Sequence, residues 1–328
     1  MKFTFKSTVD KRQFSPFSVN ACFKLTCGEH FLPGQYHDEQ VPSFLISVPK
    51  GIYQLRAEVE PHTTVKLLTG QLALSPRKEA FIMTNDVYVE KNQFEIAWWG
   101  NGVVSLELVP IKLSHRKMVL IGDSTMSEHP PGHYPQYGWG QLLAEQLRGY
   151  PILNIAQSGR SSKSFREEGH FERALQHLKE DDLLIIQFGH NDQKTDHRGT
   201  TPEEFKLNLK QYVEEARNKG AVPVLLSPVQ RRYFSEGGEM FNPHQGYDEK
   251  VAELANEEEV AFIDLTKLSS EAYQRLGIEA SKKWFMWLKP GESPNYPEGN
   301  EDNTHFSETG ARAIAGIVIS ELQKQNLL

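Results

Sequence analysis

The chain has 328 residues, of which 38% are hydrophobic and 24% charged, and its formal net charge is -7. That length exceeds one comfortable core and predicts two domains, while the negative balance argues against a general polyanion binder such as a nucleic-acid protein. No run approaches a membrane span, and the alternating start Met1-Lys2-Phe3-Thr4-Phe5-Lys6 lacks the apolar core of a signal peptide. The chain as it stands therefore reads as cytoplasmic, although a secreted protein shorn of its leader would read the same. Cys22 and Cys27 are the only cysteines, too few for a disulfide framework or a cysteine metal site. A single Cys22–Cys27 bridge is the less favoured reading. No other metal-ligand spacing appears, so neither metal nor cofactor is expected.

From residue 1 to 114 the pattern predicts an all-β unit. Phe44-Leu45-Ile46-Ser47-Val48 runs into a Pro49-Lys50-Gly51 turn, and Tyr53 to Val59 then alternates apolar and polar residues as a half-buried strand does. Further short runs at Thr64–Leu68, Ala80–Thr84, Val87–Val89, Gln93–Trp98 and Val103–Ile111 predict a β-sandwich. Its Val48–Tyr53 turn and closing Val104–Val109 run resemble galactose-binding-like modules. Trp98 and Trp99 read as a buried aromatic pair rather than a sugar-stacking platform. Ser114 to Lys117 is a polar connector, and the domain boundary is placed there.

Residues 115–328 change texture. Apolar runs at Met118–Ile121, Ile152–Ala156, Leu183–Phe188, Val222–Leu226 and Val260–Leu265 alternate with helical patterns near Gly140–Leu147, Phe171–Lys179, Pro202–Lys219 and Tyr247–Asn256. Such alternation predicts five parallel strands with crossover helices, hence a three-layer α/β/α sandwich. Ser307 is the predicted N-cap of a last helix whose Ala311, Ile314, Ala315, Val318, Ile319 and Leu322 form one apolar stripe.

The strand ends carry the chemistry. The first run ends in Gly122-Asp123-Ser124, which by itself reads equally as a turn or as a strand delivering a nucleophile to the sheet edge. Ser158-Gly159-Arg160 follows the second run, Gly189-His190-Asn191-Asp192 the third, and Asp302-Asn303-Thr304-His305 precedes the last helix. A serine hydroxyl needs a base that is itself oriented by a third group. Asp302 and His305 have a spacing that supplies both. The backbone N–H groups of Ser124 and Gly159 and the Asn191 amide are candidate oxyanion donors.

These blocks are similar, in order and placement, to those of the SGNH (GDSL-type) hydrolases. Gly122–Met126, Gly138-Trp139-Gly140, Ala156–Ser161 and Phe188–Asp192 further resemble the rhamnogalacturonan acetylesterase branch of that superfamily. The resemblance spans 117–328 and implies a flavodoxin-like hydrolase domain. It implies Ser124 as nucleophile, Asp302 and His305 as its triad partners, and Ser124, Gly159 and Asn191 as the oxyanion hole. Trp139, Arg160 and His190 are its substrate-binding candidates. The insert 282–301, with Trp284, Phe285, Trp287 and Tyr296, has no counterpart in the pattern.

The resemblance further implies a serine esterase that removes O-acetyl groups from pectic, rhamnogalacturonan-type saccharides. Arg160, Lys163, Arg166, Lys194, Arg198, Arg231 and Arg232 flank the expected site, where a carboxylate-bearing sugar would meet them. A GDSL-type esterase or thioesterase for another acyl ester, or for another acetylated sugar such as a xylan oligosaccharide, is the alternative. A non-catalytic carbohydrate-binding protein is the remote one. An acetylated saccharide is the expected partner, with no nucleic acid or membrane, and the oligomeric state is left open.

Overall fold

The computed structural model describes residues 2–4, 31–36, 39–67, 69–112, 116–147 and 149–328. Cys22 and Cys27, Ser114 and His115 of the connector, and the Trp99 side chain lie outside the described part. The chain divides into two compact units. The first is Met1–Arg116 with Pro130–Tyr134 and Leu142–Leu153, and the second is Lys117–His129, Pro135–Gln141 and Asn154–Leu328.

In the first unit the described strands form two sheets. One is four-stranded and runs Lys2–Thr4, Val103–Pro110, Gly51–Val59, Phe81–Val89 in spatial order. The other is five-stranded and runs Phe31–Tyr36, Glu39–Ser47, Gln93–Trp99, Thr64–Leu67, Gln71–Leu74. Alternation decides which side chains are inside: Leu55, Ala57 and Val59 are buried while Arg56 and Glu58 between them are exposed. They share one core cluster with Val65, Ile96 and Trp98 of the other sheet. Trp98 is thus a packed residue, not a platform. The segment Leu142–Leu153 belongs with this unit because Asn85 Nδ2 donates to the Ala144 carbonyl at 3.2 Å and Gln71 Nε2 to that of Ile152 at 3.0 Å.

A five-stranded sheet that lies in the second unit except for residues 152–153 positions the chemistry. Its strands, numbered by chain position, lie in the order 2-1-3-4-5: Ile152–Asn154, Met118–Gly122, Leu183–Gln187, Val222–Leu226, Ala261–Ile263. The ladders from the second to the fifth are parallel. Ile155 and Gln157 continue the first in the same sense by donating to Leu120 and Gly122. Every residue of Met118–Gly122 and Leu183–Gln187 is buried, as parallel strands covered on both faces require. In a sheet of this order the reversal lies beside the first strand, so the carboxyl ends of the first and third strands flank the crevice where ligands bind.

Helices Pro202–Asn218, Tyr247–Glu257 and Glu308–Lys324 lie close to their predicted positions. Thr201 and Glu204 form a capping box before the first, and Ser307 caps the last. Several elements were not predicted, among them the short helix Ser162–Glu167. Leu265–Ser281 is helical although Gly277 interrupts it with φ 76°. The insert's Phe285–Leu288 is a strand that pairs antiparallel with Asn300–Ser307, which also pairs with Gln136–Tyr137. Among the described residues no helix is long and apolar enough to cross a membrane.

The two central strands are set in register at their start by a buried ion pair. Lys117 Nζ donates to Asp182, whose other oxygen accepts the Lys117 N–H at 3.1 Å, and Leu183 N–H donates to the Lys117 carbonyl. Replacing Lys117 with Met would leave the Asp182 carboxylate buried without its cation. The expected loss is about 3–5 kcal/mol of stability, read as a lower midpoint in chemical denaturation at unchanged slope.

Candidate active site

Ser124 follows the first strand in a tight turn. The Asp123 carbonyl accepts from Met126 and Ser127, and the Asp123 carboxylate accepts from the Thr125 N–H at 2.9 Å. Ser124 is 6% exposed. Its Oγ lies 2.9 Å from His305 Nε2, and His305 Nδ1 lies 2.7 Å from Asp302 Oδ2. A carboxylate only accepts, so Nδ1 carries the proton and Nε2 is free to accept from the serine hydroxyl.

Asp302 and His305 owe this geometry to a break in a β-ladder. Phe285 pairs with Phe306, yet Trp287 pairs with Glu301, so Met286 alone faces the four residues from Asp302 to His305. Those four leave the ladder as a bulge, which lets side chains three apart meet; on a regular strand they would point to opposite faces. Asp302 Oδ1 closes the excursion by accepting from Thr304 N–H at 2.6 Å and His305 N–H at 3.0 Å. Asn303 anchors its crown: its carbonyl accepts from Arg232 N–H at 2.8 Å, and its Oδ1 accepts from Arg232 Nη1 at 3.0 Å and Trp287 Nε1 at 2.9 Å. The insert that sequence reasoning left unassigned is therefore the other half of this ladder. Burial pushes the Asp302 carboxyl up, but the His305 hydrogen bond and charge and the two N–H donors outweigh it and hold it below the ordinary carboxylate range.

A buried polar chain lies behind Ser124. Trp139 Nε1 donates to Gln187 Oε1, Gln187 Nε2 to Thr125 Oγ1, and Thr125 Oγ1 to Asp123 Oδ1, at 2.7, 2.7 and 2.8 Å. His190 Nδ1 donates to the other Asp123 oxygen at 3.1 Å. Burial raises the Asp123 carboxyl, and the His190 ring and Thr125 outweigh it and lower it. Trp139 is 0% and His190 3% exposed. Both expected substrate-binding residues thus lie inside, where Trp139 Nε1 and His190 Nδ1 brace the serine turn. Gly138 beside Trp139 has no room for a side chain, since a Cβ would lie 2.0 Å from the Ser127 carbonyl oxygen.

Gly159, Arg160 and Asn191 come together. Asn191 Nδ2 donates to the Arg160 carbonyl at 3.0 Å, which uses one of the two amide protons. Gly159 has φ 80°, and a Cβ there would meet only Arg198 Nη1 at 3.8 Å; backbone conformation, rather than crowding, accounts for the glycine. Arg160 donates to Glu168 at 2.8 Å from a solvated position. Of the other basic residues, Arg166 pairs with Glu215 and lies over Phe171 and Tyr212, Arg198 pairs with Asp196, and Arg231 Nη2 donates to the His190 carbonyl at 3.2 Å. His129, which the sequence did not single out, holds the serine backbone: its Nε2–H donates to the Ser124 carbonyl at 2.8 Å and its ring meets His305 edge-on. Among the described residues no group of three or more His, Cys, Asp or Glu is placed to hold a metal ion.

Residues 120–313 match the GDSL-like lipase/acylhydrolase family. The rhamnogalacturonan acetylesterase RhgT of Bacillus subtilis is 42% identical over 213 residues, which cover 64% of this chain and 91% of that protein. A rhamnogalacturonan acetylesterase of Emericella nidulans is 27% identical, over 65% of this chain and 86% of its own length. Among solved structures, protein YxiM of Bacillus subtilis has a TM-score of 0.60 at 22% identity, covering 87% of this chain and 80% of that one.

Asp192 reads out differently from the other two carboxylates. Burial raises it to about 7 against the pull of Ser162, whose N–H and hydroxyl it accepts. The folded protein then binds that proton more tightly than the unfolded chain, so this group lowers stability as pH rises from about 4 to about 7. The unfolding free-energy gap between the parent and Asp192→Asn should narrow over that window; a gap independent of pH in denaturant titrations would refute the assignment.

Proposed function

The chain belongs to the GDSL-like lipase/acylhydrolase family and is a carboxylic ester hydrolase, and from that premise we propose that it removes O-acetyl groups from pectic, rhamnogalacturonan-type saccharides. The observation that carries the catalytic reading is the unbroken relay Ser124 Oγ–His305 Nε2, 2.9 Å, and His305 Nδ1–Asp302 Oδ2, 2.7 Å. The likeness to RhgT supports the substrate class.

In this reading His305 takes the Ser124 proton as Oγ attacks the acetyl carbonyl. The N–H groups of Ser124 and Gly159 and the second Asn191 amide proton receive the oxyanion; in such holes one donor is worth about 10²–10³ in rate. His305 then protonates the departing sugar oxygen, and water, activated by the same imidazole, releases acetate from the serine. Asp302 holds the imidazole tautomer and stabilises its charged form. Because Asp302 stays ionised below the ordinary carboxylate range, its protonation does not set the acid limb of activity.

The same reading makes 115–328 the catalytic domain and 1–114 a galactose-binding-like β-sandwich. Its support is the shared core of the two antiparallel sheets and the reach of the YxiM likeness, which exceeds what residues 115–328 alone could supply.

Ser124→Ala should abolish acetate release from acetylated rhamnogalacturonan, a drop of about 10⁶-fold if the relay acts as a unit. Surviving release would remove Ser124 as the nucleophile. Across a series of 4-nitrophenyl esters, kcat/KM should be highest for acetate and fall with acyl length; a preference for long chains would favour a lipase-like enzyme instead.

A further inference from the structure

A second cavity of about 400 Å³ backs onto the Asp302–His305 bulge. Asn303 lines it from the bulge, Arg232, Tyr233 and Phe234 from the chain after the fourth strand, Phe241 from a short hairpin, and Ile278 from the helix Leu265–Ser281. The hairpin is firmly held. Phe241 N–H donates to the Tyr233 carbonyl and Ser235 N–H to that of Glu239, while Gln274 accepts from Met240 N–H at 2.8 Å and donates to the Gly238 carbonyl at 3.0 Å. The Tyr233 and Phe241 rings stack at 5.6 Å and 24°. Phe241 is nevertheless 50% exposed. A large aromatic side chain fixed in place yet left half in water offers a ring face to a ligand.

Arg232 adds a charge. It is 6% exposed, and the one carboxylate acting on its charge, Glu279, forms its ion pair with Lys282. Three of its N–H groups are committed: Nε to Ser281 Oγ at 3.0 Å, Nη1 to Asn303 Oδ1 at 3.0 Å, and Nη2 to the Ile278 carbonyl. A guanidinium has five donors. The two left are one on each terminal nitrogen, available to an anionic or carbonyl oxygen. Burial pulls this guanidinium down, and the charge of Glu279 offsets that only in part.

We propose that this cavity is a subsite for a uronate residue of the substrate, with the Tyr233–Phe241 pair under the sugar ring and the free N–H groups of Arg232 on its carboxylate. The proposal rests on the acetylesterase reading for calling the ligand substrate, but the binding it asserts stands by itself. A uronate held here would be tied through Arg232 and Asn303 to the bulge that carries Asp302 and His305. Binding of the saccharide and placement of the triad would then share two residues.

The test is isothermal titration of the full chain with unacetylated trigalacturonate, alongside the neutral xylotriose. Trigalacturonate should bind more tightly than xylotriose, and added salt should weaken it. Phe241→Ala, which opens no core cavity, should weaken trigalacturonate about tenfold, the size of one aromatic contact of about 1.4 kcal/mol. Arg232→Gln should abolish the preference for trigalacturonate over xylotriose. No binding to the parent protein, equal binding of the two sugars, or unchanged affinity in Phe241→Ala would each overturn the subsite. Failure to release acetate from acetylated rhamnogalacturonan would instead overturn the acetylesterase reading and leave the titration to judge the cavity.

Discussion

The reactive geometry depends on a mismatch in one β-ladder. Between the Phe285–Phe306 and Trp287–Glu301 pairs, one residue stands opposite four, and the surplus is the segment that holds His305, hydrogen-bonded to Ser124, and its partner Asp302. A bulge of this size loses ladder hydrogen bonds that must be replaced. Asp302 replaces two of them by accepting from Thr304 and His305, and Arg232 and Trp287 saturate Asn303 at its crown. The carboxylate that orients the imidazole thus also builds the turn on which the imidazole stands. Removing it would cost both the partner and the shape.

The serine side is secured by a different device. Ser124 itself makes few fixed contacts, but its two chain neighbours are locked. Asp123 is held by His190 and Thr125, and Thr125 by Gln187, whose other side accepts from Trp139. Three sequence blocks far apart in the chain meet in this one network. In a buried setting each of these bonds raises the cost of breaking the next, so the turn has one arrangement available. A serine hydroxyl on such a turn meets His305 without first ordering itself.

Much of this was legible in the sequence, and the reasons it stopped are physical. The buried parallel strands showed as continuous apolar runs because both faces are covered, Ser124 showed where the first such run ends, and Asp302 and His305 showed as a polar pair before the last helix. The helix Leu265–Ser281 was hidden because Gly277 breaks its periodicity. The places of Trp139 and His190 were not legible, because residue type does not reveal whether a polar handle finds a partner inside; Gln187 and Asp123 supply those partners. Likewise the bulge needs the register of two strands, which no local pattern contains. The basic residues looked alike in sequence, yet Arg166 and Arg198 pair with Glu215 and Asp196, whereas Glu279, the one carboxylate acting on Arg232, pairs with Lys282.

The three carboxylates around the site show how neighbours decide charge where burial alone would not. Burial raises all of them. Asp302 and Asp123 each face a histidine Nδ1–H, and a donor that can also share positive charge more than offsets the loss of water. Asp192 faces only neutral donors, chiefly Ser162 N–H and Oγ–H, and lies in the field of ionised Asp123, so it is the one that holds its proton toward neutrality. Two ionised carboxylates in one buried pocket would repel; an imidazole beside Asp123 and none beside Asp192 settles which one carries the charge. The negative charge is thereby concentrated where it serves the serine turn and the imidazole, and is withheld from the loop that presents Asn191.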